Sequence, residues 1–176
     1  MRIISGQFKG RRIEPPSNIK ARPTTDFARE GLFNVLNNLL DYEETSCLDL
    51  FAGTGAVSIE LASRGCPSVL CVEQSDRHLA FIKKVIKDLE ITTVLPLKGD
   101  VFKFISSTSQ SFDFIFADPP YDLKNLELIP NLIFENNLLK GNGLFVFEHS
   151  KKNDFSNHSR FFQHRNYGNV NFTFFR

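Results

Sequence analysis

Four consecutive residues, Asp118-Pro119-Pro120-Tyr121, have the types and spacing for one demanding piece of chemistry. An amino group attached to a nucleobase ring is a poor nucleophile, because its lone pair is delocalised into the ring. A carboxylate oxygen and a rigidly presented backbone carbonyl can accept its two hydrogens. That draws the nitrogen toward a tetrahedral geometry and points its lone pair at a methyl donor. Two prolines fix the backbone, so the Pro119 carbonyl stays aimed. Tyr121 offers a flat face on which an extruded base stacks. Asp118 is also placed to take up the released proton. In isolation the tetrapeptide reads equally as a loop closing a strand, with Asp118 as turn former and Tyr121 as core. Its context decides between the two.

That context is a run of small and acidic residues at the ends of successive strand-like segments. Asp49-Leu-Phe-Ala-Gly53-Thr-Gly55 follows an apolar strand and precedes a helix. Its glycines allow a tight turn and close backbone approach to a ligand, and the helix behind them aims its first amides at the same place. Glu73 stands 18 residues after Gly55, the spacing at which an acid receives a ribose hydroxyl pair. Ser58 occupies the place of the third glycine of the dinucleotide fingerprint. A nucleoside cofactor therefore fits better than a dinucleotide. Asp100, followed by Val101, ends the third strand. It suits an adenine amino group, and also an N-cap for the next helix, and the two roles are compatible. His78, His149, His158 and His164 show no metal-ligand spacing. His149 reads as a surface or satisfied histidine, and no metal is expected.

These segments need an alternating scaffold. Strands are expected over 47–52, 68–72, 93–97, 112–117 and 144–148. Helices are expected over 56–64, 76–89, 101–106 and 126–138, the last with a restart available at Pro130. Gly65 closes the first of these helices. Phe112–Ala117 is apolar apart from Asp113, as suits the middle of a parallel sheet. An earlier helix is capped by Thr24-Thr25-Asp26, with an apolar stripe of Phe27, Leu32, Val35, Leu36, Leu39 and Leu40. Segments 160–167 and 170–175 flank Gly168-Asn169, a hairpin turn. Near the N-terminus, Ile3-Ile4 and Arg12-Ile13 read as a small hairpin. The pattern is a doubly wound α/β sheet with a terminal antiparallel element.

Bulk properties agree with one domain and an appendage. The chain has 176 residues, 41% hydrophobic and 23% charged, enough to bury a sizeable core. Its 19 Phe and absent Trp read as a choice of core filler. Net charge is +1, but residues 1–29 carry seven basic groups against two acidic ones, whereas the remainder carries 14 against 18. A basic arm over 1–24, with Lys9, Arg11, Arg12 and Arg22, thus precedes a mildly acidic body over 25–176. Such an arm suits phosphate contacts, although a solvated hairpin has the same charge. Cys47, Cys66 and Cys71 form no CxxC pair, and their odd number argues against a disulfide framework. Apolar runs are too short to span a bilayer, and no signal peptide is read at the N-terminus, so a cytoplasmic location is expected.

The chain resembles the class I Rossmann-like methyltransferases, and more narrowly the bacterial 16S rRNA guanine-N2 methyltransferases of the RsmD type. The likeness rests on Arg2-Ile-Ile-Ser-Gly6, Lys9-Gly-Arg-Arg12, Arg22-Pro-Thr-Thr-Asp26 with Arg29-Glu30, Asp49-Leu-Phe-Ala-Gly-Thr-Gly55 and Asp118-Pro-Pro-Tyr121. It covers nearly the whole chain, except that the short, Phe-rich C-terminus has no residue-by-residue match. It implies a seven-stranded, mostly parallel sheet with a C-terminal antiparallel hairpin. It implies S-adenosylmethionine as donor and, as acceptor, a guanine N2 of 16S rRNA in the small subunit or an assembly intermediate. On this reading Asp118, Pro119, Pro120 and Tyr121 act on the base, and Asp49, Gly53, Gly55, Glu73, Asp100 and Val101 hold the cofactor. Lys9, Arg11, Arg12 and Arg22 meet RNA, and the protein acts as a monomer. Two other readings stand beside it: adenine-N6 methylation of a nucleic acid, and a non-catalytic RNA-binding or ribosome-assembly factor that keeps the fold.

Overall fold

A computed structural model describes residues 1–16, 19 and 26–176. Seven strands form one sheet: β1 (Ser46–Leu50), β2 (Ser68–Glu73), β3 (Val94–Lys98), β4 (Phe112–Ala117), β5 (Leu139–His149), β6 (Phe161–Tyr167) and β7 (Val170–Phe175). Their order is β3-β2-β1-β4-β5-β7-β6. The strands β1 to β5 pair in parallel, while β7 runs antiparallel to both β5 and β6. Strand order reverses between β1 and β4. At such a switch point the helices leave to opposite faces, and a crevice opens beyond the carboxyl ends of the strands.

Helices α1 (Asp26–Leu36), α2 (Ala56–Ser63) and α3 (Asp76–Asp88) share one apolar core with one sheet face, through residues such as Leu32, Phe33, Ile59, Leu61, Phe81 and Ile82. Helices α4 (Val101–Ser107) and α5 (Ile129–Glu135) close the other face through Ile105, Ile129 and Ile133. With cores on both faces, β1 and β4 are apolar almost throughout. Most phenylalanines serve as filler: the Phe145 and Phe175 rings stack at 5.2 Å, with Phe134 and Phe155 edge-on around them. The three thiols are all buried and free.

Several elements depart from the expected limits. The fifth strand starts at Leu139 rather than 144, because Leu139 pairs with Phe112 and residues 140–143 bulge before the pairing resumes at Leu144 with Phe114. The 126–138 helix is a 3-10 turn over Leu126–Leu128 followed by α5, with Pro130 in its first turn. A proline there gives up only an amide without an intrahelical acceptor. Left-handed Asn137 then ends the helical stretch. Phe27 is 68% exposed instead of core, and meets the Tyr167 ring edge-on at 5.8 Å. The N-terminal hairpin is a single bridge, Arg2 with Arg12, not a pair of strands. Thr24 and Thr25, expected to cap α1, lie outside the described residues, as does Arg22.

The hairpin is nevertheless docked firmly. Ile3 is buried in the α1–α3 core. The Glu60 carboxylate on α2 accepts from the backbone N–H of Ile4 at 2.7 Å and of Ser5 at 3.0 Å, and pairs with Arg64 at 2.8 Å. The Ser63 carbonyl accepts from Gln7 N–H at 2.7 Å. Gly6 has φ +79, and a Cβ there would lie 1.8 Å from the Ser63 carbonyl oxygen, so only glycine fits this approach.

Candidate active site

The glycine turn grows directly out of β1. Phe51, Gly53 and Gly55 have φ of +64, +56 and +74, which reverses the chain within five residues. A positive φ is rare for a bulky residue and marks a functional strain point. The Phe51 side chain faces the crevice. The turn is held by Gly55 N–H to the Ala52 carbonyl at 2.7 Å, and by Ala52 N–H to Val72 on β2 at 3.1 Å.

Acidic side chains fix this turn from below and beside. The Asp49 carboxyl accepts from Ser58 N–H at 3.1 Å and Ser58 Oγ–H at 2.5 Å. Complete burial pushes its pKa up to about 7; the Ser58 hydrogen bonds oppose the rise and the nearby Glu73 charge adds to it. Glu73, at the end of β2, accepts from Gly53 N–H at 2.7 Å through one oxygen and from Ser75 N–H at 2.7 Å through the other. His78 Nδ1 stands 3.5 Å from the same carboxylate. Asp100 caps α4 by accepting from Lys103 N–H at 3.0 Å.

Across the switch point, Asp118 follows β4, and its N–H continues the ladder to the Leu50 carbonyl of β1 at 3.3 Å. The Pro120 carbonyl accepts from Leu123 N–H at 2.9 Å, which turns the chain over 120–123. The Tyr121 hydroxyl donates to Glu148 at the end of β5, at 3.2 Å.

Gly53, Glu73, Asp100 and Val101 face Asp118, Pro119, Pro120 and Tyr121 across one cleft of about 410 Å³. That volume is in the range of a small-molecule site. Phe51, Phe102 and Leu123 supply apolar wall, and Gln74, His78 and Glu148 add polar groups. Two of the expected cofactor residues do not line the cleft. Gly55 caps α2 and packs under it against Ile59 and Ile82, and Asp49 lies beneath the turn on Ser58.

The chain's relatives fit this architecture. A family model described as "Conserved hypothetical protein 95" matches residues 1–176. The protein "Ribosomal RNA small subunit methyltransferase D" of Buchnera aphidicola subsp. Baizongia pistaciae is 36% identical over 148 residues, 84% of this chain and 75% of that one. The chain belongs to the RsmD family. Among solved structures, a hypothetical protein of Thermus thermophilus superposes on this RsmD-family fold with a TM-score of 0.86 at 26% identity, covering 100% of this chain and 99% of that one. The sheet is the class I methyltransferase sheet. The ribosomal protein L11 methylase of Lactobacillus delbrueckii subsp. bulgaricus shares it at a TM-score of 0.66 and 16% identity, over 85% of this chain and 77% of that one.

Of the basic residues expected to meet RNA, Lys9, Arg11 and Arg12 are exposed on the hairpin. Arg11 and Arg12 line a groove of about 740 Å³ that runs along α3 past Arg77, Lys84 and Asp88. Arg77 lines this groove, and its chain neighbour on α3, His78, lines the cleft. No helix among the described residues is long and apolar enough to cross a membrane.

Sequence reasoning passed over Glu148. It lies one residue before the end of β5, and no glycine motif at a telling spacing marks it in the sequence. His149, beside it, is a satisfied core histidine rather than a surface one. Its Nε2 pairs with Thr173 Oγ1 at 2.8 Å and its Nδ1 with the Ser150 carbonyl at 2.9 Å, and burial lowers its pKa.

Proposed function

We propose that this chain transfers a methyl group from S-adenosylmethionine to the N2 amine of a guanine in 16S rRNA, within the small subunit or an assembly intermediate. One observation carries the reading: the glycine turn with its acids and the Asp118–Tyr121 tetrapeptide line the same cleft. The donor set fits the cofactor. Glu73 and Asp100 are acceptors for hydroxyl and amino groups, Phe51 and Phe102 are flat apolar wall, and the turn brings backbone close without a Cβ at Gly53. When bound, the cofactor supplies an electrophilic methyl group.

The chain's own residues do the rest. Asp118 and the Pro119 carbonyl accept the two amine hydrogens, so the nitrogen lone pair turns outward. Tyr121 carries the extruded base on its ring, steadied by its bond to Glu148. Asp118 receives the proton that leaves the amine. No metal is required, because placement and electrostatics of an in-line transfer suffice. Lys9, Arg11 and Arg12, with Arg22, meet RNA phosphates, and Arg77 and Lys84 along α3 add further basic groups to the groove that Arg11 and Arg12 line.

The direct test is nucleoside mass spectrometry of 16S rRNA from cells with and without the gene. N2-methylguanosine should disappear from one position on deletion and return with the purified protein and S-adenosylmethionine. Loss of N6-methyladenosine instead, or of no methylated nucleoside, overturns the reading.

A further inference from the structure

The β4–β5 register pairs Ala117 with Phe147, so Asp118 and Glu148 are the next residues on adjacent parallel strands. Neighbouring strands lie about 4.8 Å apart. Both side chains line the cleft, and the Glu148 residue is only 3% exposed. Its carboxylate accepts from the Tyr121 hydroxyl at 3.2 Å, which ties it to the ring proposed to carry the base. A carboxylate offers about four lone-pair sites, so one such group can serve several donors at once.

We propose that Glu148 reads the base edge next to the reacting amine and thereby selects guanine; this rests on the guanine-N2 reading above. The edge of guanine presents N1–H beside its N2 amine. Adenine and cytosine present a bare ring nitrogen beside theirs. With the amine held by Asp118, the neighbouring ring position falls toward the next strand tip, where Glu148 stands. A guanine N1–H donates to that carboxylate. An adenine or cytosine in the same pose sets a lone pair against a buried acceptor and leaves both unmatched. Sites built to hydrogen-bond a substrate group reject analogues lacking it by up to about 10⁴-fold. Glu148 is thus a specificity-determining residue, distinct from Asp118, which handles the amine.

The test uses 2-aminopurine, which keeps the 2-amine but has no N1–H. It is placed by RNA ligation at the target position of 16S rRNA and assembled into small subunits. The wild-type protein should prefer guanine by about 10²-fold or more in kcat/KM. Glu148→Gln carries an amide that can donate to a bare N1. It should lose about 10-fold or more on guanine and cut the preference at least about 10-fold, with cofactor affinity within severalfold. Tyr121→Phe removes the hydroxyl that holds Glu148, so it should lower the preference in the same direction but by less than Glu148→Gln does. If Glu148→Gln retains the wild-type preference, Glu148 does not read the base. If the wild-type protein methylates no guanine N2, the underlying function fails instead, and the inference with it.

Discussion

The tips of β1–β3 and the tips of β4–β5 face each other across one cleft, yet they are built differently. On the β1–β3 side each acid is committed to the backbone: Asp49 to Ser58, Glu73 to Gly53 and Ser75, Asp100 to Lys103. These bonds satisfy amides that a left-handed turn and two helix starts would otherwise leave bare. They also hold a fixed shape, which suits a ligand that never varies. On the β4–β5 side the backbone is stiffened by covalent structure, Pro119-Pro120, and side chains at Asp118, Tyr121 and Glu148 are presented to the cleft. On the function proposed, the first half would bind the cofactor through a pre-formed surface, and the second would act on the base through groups set by neighbouring strands.

Three substitutions break or sharpen that contrast. The largest effect belongs to Asp118→Ala, which should cut methyl transfer by about 10³-fold or more while cofactor affinity by calorimetry stays within severalfold. Retained activity would take Asp118 out of the chemistry. Next, Glu73→Ala removes the anchors of Gly53 and Ser75 together. Cofactor Kd should rise about 10²-fold, equivalent to about 2.7 kcal/mol. An unchanged Kd would make the acid a bystander and dissolve the distinction between the halves.

The smallest effect is Asp49→Asn. Asp49 has a pKa of about 7 in the folded protein, against about 4 in an unfolded chain. Folding therefore favours its protonated form. Its stabilising contribution is complete below pH ~4, is lost as pH rises toward 7, and is constant above that. The asparagine variant lacks this titration, so its stability relative to wild type should improve by about 2 kcal/mol between pH 5.5 and 7.5 in urea melts. Parallel pH profiles would show that Asp49 is not held in this way.

Legibility in the sequence followed the range of the constraint. The glycine turn and the Pro-Pro tetrapeptide could be read because glycine and proline restrict their own backbone, whatever surrounds them. Gly65 stopping α2 and Gly168-Asn169 turning the last hairpin are of the same local kind. Phe27 was misjudged because periodicity identifies an apolar residue but not which face a neighbour will cover, and the start of β5 because its first pairing, Leu139 with Phe112, lies beyond a bulge. Glu148 was passed over because its significance depends on its neighbour. It matters only once β5 lies beside β4 and its carboxyl reaches Tyr121, 27 positions away in the chain. Likewise Asp49 and Gly55 belong to the turn's motif, but burial places them under the cleft as supports.

The amino-acid sequence alone therefore determined the alternation of strands and helices, the two backbone turns that punctuate it, and the chemistry that their side chains favour. Only the tertiary structure decided that the two turns share a cleft, that Asp118 and Glu148 stand side by side, and that the basic hairpin is clamped to α2 by Glu60 and Ser63. The reason is physical. Turn geometry is set by torsions within a few residues, whereas strand order is set by burying two apolar faces at once, a condition met only by the whole chain.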